Sequence, residues 1–166
     1  GRTVTIPADV QTCATVGSAV RFVVYAGGAD KLVAVTEMDK PATPARPYTV
    51  ACEQVFASLP TTSNGNHLME TSVDGEAMLE LAPDVIISSR SARECDDLQD
   101  QIGIPVIGIS YQDQMFTEDV FKSIEVVGDV LGTTEHAQQV IDKMNGWQAD
   151  LDSRTAGIPQ EDRPTC

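Results

Sequence analysis

Val73-Asp74-Gly75-Glu76-Ala77-Met78-Leu79-Glu80-Leu81-Ala82-Pro83-Asp84-Val85-Ile86-Ile87 decides the fold class. An amphipathic segment, Gly75–Leu81, capped by Asp74, stops at a proline and passes almost at once into a strand-like run over residues 85–89. Pro83 has no N–H with which to continue a helix, and its ring disfavours helical dihedrals at Ala82. A helix that ends this way and feeds a buried β-branched run is one half of a βαβ unit, and such units build parallel sheets.

The same alternation extends outward on both sides. Residues 10–16 (Val-Gln-Thr-Cys-Ala-Thr-Val) read as a first strand, Gly17-Ser18 as the turn and cap of a helix over residues 19–26, and Gly27-Gly28 as its end. Residues 32–35 form a short second strand. The stretch Lys40-Pro41-Ala42-Thr43-Pro44-Ala45-Arg46-Pro47-Tyr48 is too rich in proline for a long helix or a central strand and reads as surface loop. A short helix over residues 50–57 and a polar loop, Thr61-Thr62-Ser63-Asn64-Gly65-Asn66-His67, lead back to Asp74.

Downstream of residues 85–89 come a helix over Ala92–Ile102, the break Gly103-Ile104-Pro105, and a fourth strand over residues 106–110. Two long helices follow Thr117. Val120, Ile124, Val127 and Leu131 stripe the first, with Glu118 and Asp119 in its opening turn and Gly132 as its stop. Thr133 or Thr134 caps the second, whose stripe is Ala137, Val140, Ile141, Met144, Trp147 and Leu151. From residue 134 to about 153 it is roughly 30 Å long at 1.5 Å per residue. The expected fold is α/β, a doubly wound parallel β-sheet flanked by helices, a Rossmann-like lobe ending in a long helix.

Composition narrows the function. A chain of 166 residues, 42% apolar, buries one ordinary core. No run of about 18 apolar residues crosses a membrane, and no secretory signal is present, so the chain reads as mature or trimmed. A net charge of −14 argues against nucleic acid, which demands clustered Lys and Arg. Cys13, Cys52, Cys95 and Cys166 contain no C-x-x-C pair, which removes zinc-ribbon and thioredoxin-like readings and leaves open which of them, if any, pair.

Catalytic signatures are missing. The turn Thr15-Val16-Gly17-Ser18-Ala19 has one glycine and no Walker lysine, so it makes no phosphate cradle. No serine sits in a G-x-S-x-G elbow, no H-E-x-x-H occurs, and the two histidines, His67 and His136, cannot form an all-histidine metal site. In an open parallel sheet, ligands bind beyond the carboxyl ends of the strands. The loops there offer Ser18, Tyr48, Asn64, Asn66, His67, Arg90 and Tyr111, hydroxyls, amides, aromatic faces and a guanidinium without a matched acid–base pair. That set suits recognition rather than catalysis. The competing reading is a small flavodoxin-like or metal-cluster-binding enzyme domain, and the absent cradle and absent Cys/His cluster speak against it.

The Gly75–Ile87 segment, together with Lys31-Leu32-Val33-Ala34-Val35, Arg46-Pro47-Tyr48, Gly103-Ile104-Pro105-Val106-Ile107-Gly108-Ile109-Ser110-Tyr111 and the long final helix, resembles the N-terminal lobe of the helical-backbone (class III) periplasmic binding proteins. These serve ABC importers of iron–siderophore complexes, haem and cobalamin. The resemblance implies residues 1–133 as a ligand-binding lobe, 134–153 as a connecting helix and 154–166 as the start of a second lobe. It implies an extracytoplasmic protein, periplasmic or lipid-anchored at the cell surface, with no cofactor, holding an iron chelate, haem or corrinoid between two lobes and delivering it to a membrane permease. Glu76 matches the acidic residue that such lobes offer to permease arginines, although Gly75 stands where relatives commonly carry a larger residue. An exposed face on the final helix, at Met144 and Trp147, offers a route to a dimer.

Overall fold

The computed structural model describes residues 2–61, 75–111, 116–159 and 162. In chain order the elements are β1 (Cys13–Val16), α1 (Val20–Tyr25), 3-10 turns at Ala29–Lys31 and Glu37–Asp39, α2 (Pro47–Ala51), α3 (Glu53–Ser58), α4 (Gly75–Leu81), β2 (Val85–Ser88), α5 (Ala92–Ile102), β3 (Val106–Gly108), α6 (Glu118–Leu131) and α7 (Thr134–Thr155). The strands pair in parallel in the order β1-β2-β3, with Cys13 opposite Val85 and Ile86 opposite Val106. On the free side of β1, Leu32 makes a single parallel bridge to Cys13. The chain therefore leaves β1 in one direction and returns to β2 in the other, which places a topological switch at the carboxyl ends of β1 and β2.

Alternation along the strands supplies two cores. Ala14, Val16, Ile86 and Val106 face Met78 of α4 and Cys95, Leu98 and Ile102 of α5. Cys13, Val85, Ile87 and Ile107 belong to the other core, which joins α1, the Val120-Ile124-Val127-Leu131 stripe of α6, and Ala137, Ile141 and Met144 of α7. Every residue of β1 and β2 is buried, as a parallel sheet covered on both faces requires.

Several expected elements are shorter than the sequence suggests. The first strand begins at Cys13 because the Gln11 and Thr12 N–H groups donate to the Asp84 carboxylate, at 2.8 and 2.9 Å, instead of to a neighbouring strand. Residues 32–35 make no strand of their own. Leu32 bridges to Cys13 and Val35 to Thr61, two partners too far apart in sequence for one ladder. The last strand stops at Gly108, since Ser110 turns away to the Ser123 hydroxyl, which accepts from its N–H at 3.1 Å and donates to its carbonyl at 2.6 Å. The helix expected over 50–57 is two helices broken at Cys52, and the first begins at Pro47, whose missing N–H costs nothing in an opening turn. The stretch over residues 40–48 is exposed or half-buried throughout, as a surface loop is, and only its last two residues, Pro47 and Tyr48, enter a helix. The final helix runs to Thr155, and the Thr133 hydroxyl makes no capping bond. Asp74 lies outside the described residues.

Pro83 and Asp84 do different work. Beyond accepting from Gln11 and Thr12, Asp84 also accepts from the Thr12 hydroxyl at 3.1 Å, so one carboxylate pins the entry of β1 to the start of β2. Those backbone N–H groups hold the carboxyl below the usual carboxylate range. Ala82 carries the turn into the strand in a left-handed conformation, φ 42°, with its N–H donating to the Met78 carbonyl at 3.0 Å. A Cβ costs about 1–2 kcal/mol in that region, and glycine gives part of this back through its freer unfolded chain. Ala82→Gly is therefore expected to stabilise the lobe by about 0.5–1 kcal/mol in chemical denaturation. An unchanged or lower midpoint contradicts the left-handed assignment.

Burial also sets an alkaline limit. Desolvation pushes the Cys13 thiol up to about 12 from 9.0, with Lys31 only partly opposing. The folded state thus keeps a proton that the unfolded chain releases above pH 9, so the stabilisation is fully present below pH 9 and is lost as pH rises towards 12. The denaturation midpoint is expected to fall across that window, and Cys13→Ala to flatten the fall.

Candidate functional site

Three strand ends converge on one rim. Beyond β1, Gly17 takes φ +69°, and a Cβ there would stand 2.6 Å from the Ser89 hydroxyl oxygen, so only glycine lets the two strand ends approach this closely. The same Ser89 hydroxyl accepts the Ser18 N–H at 2.8 Å, and beyond β2 the Ser88 hydroxyl accepts the Arg90 N–H at 3.2 Å. A capping box follows. Ser91 accepts from the Glu94 N–H, while the Glu94 carboxylate accepts from the Ser91 N–H at 3.0 Å and its hydroxyl at 2.6 Å. These bonds, the Ser91 hydroxyl's first, hold the Glu94 carboxyl below its usual value.

Tyr111, at the end of the β3 segment, packs its ring on Phe22 with centroids 5.9 Å apart. The Arg21 guanidinium lies over both rings of this pair, 4.3 Å from the Tyr111 centroid and 5.5 Å from that of Phe22. Such a stack contributes about 0.5–1 kcal/mol when exposed and about 2 when desolvated. Sequence reasoning overlooked Arg21. Its signal was position, since a cation in the opening turn of a helix sits at the end where the dipole favours acids.

Two cavities open here. The smaller, about 290 Å³, is lined by Ser18, Arg21, Tyr25, Asp39, Arg46 and Tyr48. The larger, about 800 Å³, follows the edge of β3; Arg90 and Tyr111 line it beside apolar Val4, Ile6 and Ile109. Ser18 and Tyr48 thus share one cavity, Arg90 and Tyr111 the other, and the Arg21–Tyr111 stack joins their walls. Asn64, Asn66 and His67 lie outside the described residues. Glu76 is exposed in the first turn of α4.

In the smaller cavity the Tyr48 hydroxyl donates to Asp39 Oδ1 at 2.8 Å, and the Thr36 hydroxyl donates to Oδ2. Burial, then the Asp39 charge, raises the Tyr48 phenol well above its ordinary range, so it stays protonated and its oxygen is left to accept. Arg46 donates through Nη1 to the Met38 carbonyl. Arg21 Nε is buried without a hydrogen-bond partner. Among the described residues no cluster of three or more His, Cys, Asp or Glu is placed to hold a metal ion, and Cys13, Cys52 and Cys95 are free thiols. No helix among the described residues is long and apolar enough to cross a membrane.

Among solved structures of the same fold is a molybdate-bound periplasmic binding protein of Haemophilus influenzae, with a TM-score of 0.75 and 17% identity over 98% of this chain and 53% of that one. Another is a periplasmic solute binding protein of Veillonella parvula, at 0.70 and 21% over 95% of this chain and 46% of that one. A third is the periplasmic vitamin B12 binding protein of Vibrio cholerae, at 0.63 and 22% over 91% and 53%. The chain spans about half the length of these proteins. No curated protein sequence matches it. The periplasmic binding protein family matches residues 14–165, nearly the whole chain, and the chain belongs to that family, with the lobe fold of its helical-backbone (class III) members.

Proposed function

We propose that this chain supplies the N-terminal lobe of an extracytoplasmic receptor that captures a small molecule between two lobes and delivers it to the permease of an ABC importer. The family match supports the receptor role, and the observation that carries the two-lobe reading is the outer half of α7. Its stripe is buried at Ala137, Ile141 and Met144, then continues into solvent at Trp147 and Leu151, each 53% exposed, with Ile158 beyond at 39%. An apolar face prolonged past its own core is the face of a helix that serves two cores. Residues 1–133 then form the lobe, 134–153 the connecting helix and 154–166 the entry to a second lobe.

Cargo of the iron-chelate, haem or corrinoid kind suits this geometry. The aromatic and guanidinium groups around Arg90 and Tyr111 stand beside a cavity large enough for part of such a ligand. Related structures include proteins named for vitamin B12, haem and molybdate, so the fold itself does not choose among them. The direct test is mass spectrometry of small molecules retained by the complete protein; a retained chelate or tetrapyrrole supports the reading, and a nucleotide, flavin or turnover product overturns it. The complete protein is expected to bind its cargo about a hundredfold more tightly than this lobe alone, assuming about 3 kcal/mol from the second lobe. Equal affinities by calorimetry contradict an interlobe site.

A further inference from the structure

We infer that the smaller cavity is an oxyanion subsite in which Arg21 and Arg46 together grip an anionic oxygen group, a carboxylate or a tetrahedral oxoanion, of the cargo. The inference rests on the receptor reading and names the part of the ligand that this lobe holds. Its first support is charge. The chain has 11 Lys and Arg against 25 Asp and Glu, so an arginine finds a carboxylate easily, yet neither Arg21 nor Arg46 forms an ion pair among the described residues. Asp39 is the one carboxylate among the described residues lining the cavity, and both its oxygens are already taken up, one by Thr36 and one by Tyr48. Two cations and one acid leave the cavity with a positive surplus inside a protein of net charge −14.

The second support is preorganisation. The Tyr111 ring holds the Arg21 guanidinium over its face, with the guanidinium carbon 4.3 Å from the centroid, and Nε is buried with nothing to donate to. A buried guanidinium N–H without an acceptor is costly, and an oxygen of a bound anion would supply one. Arg46 is anchored by the neutral Met38 carbonyl, which spends a donor without spending its charge. The Ser18 hydroxyl completes the lining with a neutral donor. Size is the third support. About 290 Å³ is at the low end for ligand pockets, enough for one anionic head, while the body of a larger chelate would lie in the 800 Å³ cavity across the Arg21–Tyr111 stack.

The test is calorimetry on the complete receptor with three probes: sodium molybdate, ferric citrate and the cationic chelate ferrioxamine B. Molybdate and ferric citrate separate an inorganic oxoanion from a carboxylate chelate, and binding of either one fits the proposal. Arg21→Gln and Arg46→Gln are each expected to weaken that binding about tenfold or more, Arg21→Lys to recover only part of the loss, and Lys122→Gln, on the exposed face of α6, to change nothing. Thermal melting of the unliganded variants separates lost recognition from lost folding, and Arg21→Lys keeps the test alive if Arg21→Gln does not fold. Anion affinity unchanged in both arginine variants, or a preference for ferrioxamine B, overturns the proposal. If no probe binds, the cargo recovered by mass spectrometry decides: an anion whose affinity falls in Arg21→Gln supports the subsite, while a neutral or cationic cargo overturns it and leaves the receptor reading standing. A protein that retains no small molecule at all overturns both.

Discussion

Glu76→Lys in the complete receptor is expected to leave cargo affinity unchanged and to reduce uptake about tenfold or more. Glu76 stands exposed in the first turn of α4, and no hydrogen bond or ion pair engages it among the described residues. A carboxylate so placed is favoured by the helix dipole, which accounts for its presence without accounting for its use. If it meets an arginine of the permease, reversing its sign sets like charges against each other only at that surface. The loss should deepen at low ionic strength, where exposed charges are less screened. Glu80→Lys should transport normally, and an Arg→Glu change in the permease should partly rescue Glu76→Lys. Equal behaviour of the two glutamates, or lost cargo binding, leaves Glu76 as a helix-start acid and nothing more.

The largest expected effect on stability comes from two neighbouring strand residues. Ile86 and Ile87 are both fully buried, yet one faces the α4–α5 core and the other the α1–α6–α7 core. Truncating a buried Ile costs about 2–5 kcal/mol through lost transfer energy and the cavity left behind. Because the two side chains share no neighbouring core, the double variant Ile86→Ala, Ile87→Ala is expected to approach the sum, about 4–10 kcal/mol, which rivals the whole stability of a typical domain. Urea denaturation checks this. A double variant no worse than the poorer single one would mean that one face of the sheet is not a core.

The outcome for each element follows from how local its cause is. The end of α5 was readable because Gly103 stands beside the helix and acts on it alone, and its start is fixed just as locally, by the capping box of Ser91 and Glu94. Gly132 stops α6 in the same way, and Pro83 ends α4 next to it in sequence. The start of β1 was not readable, although its end at Val16 was, since the start depends on Asp84, which reaches Gln11 and Thr12 from over seventy residues away. Nor was the fate of residues 32–35, which is settled by bridges to Cys13 and Thr61. The site divides along the same line. Ser18, Arg90 and Tyr111 follow the ends of strands, which is where topology alone directs the search for a ligand, and each lines a cavity there. Arg21 matters because a ring from the far end of the sheet happens to lie under it, and no spacing in the sequence announces a stack between residues 21 and 111.

The buried thiols have a use in the test tube that owes nothing to ligand or permease. Cys13 belongs to the α1–α6–α7 core and Cys95 to the α4–α5 core, both fully shielded from solvent. With the Cys13 thiol pushed up to about 12, almost none of it is the reactive thiolate near neutral pH, so an alkylating reagent can mark it only in molecules that have opened. Labelling rates at the two cysteines therefore time the opening of the two halves separately: matching rates mean that the sheet parts from both layers of helices in one event, and unequal rates reveal which layer lets go first.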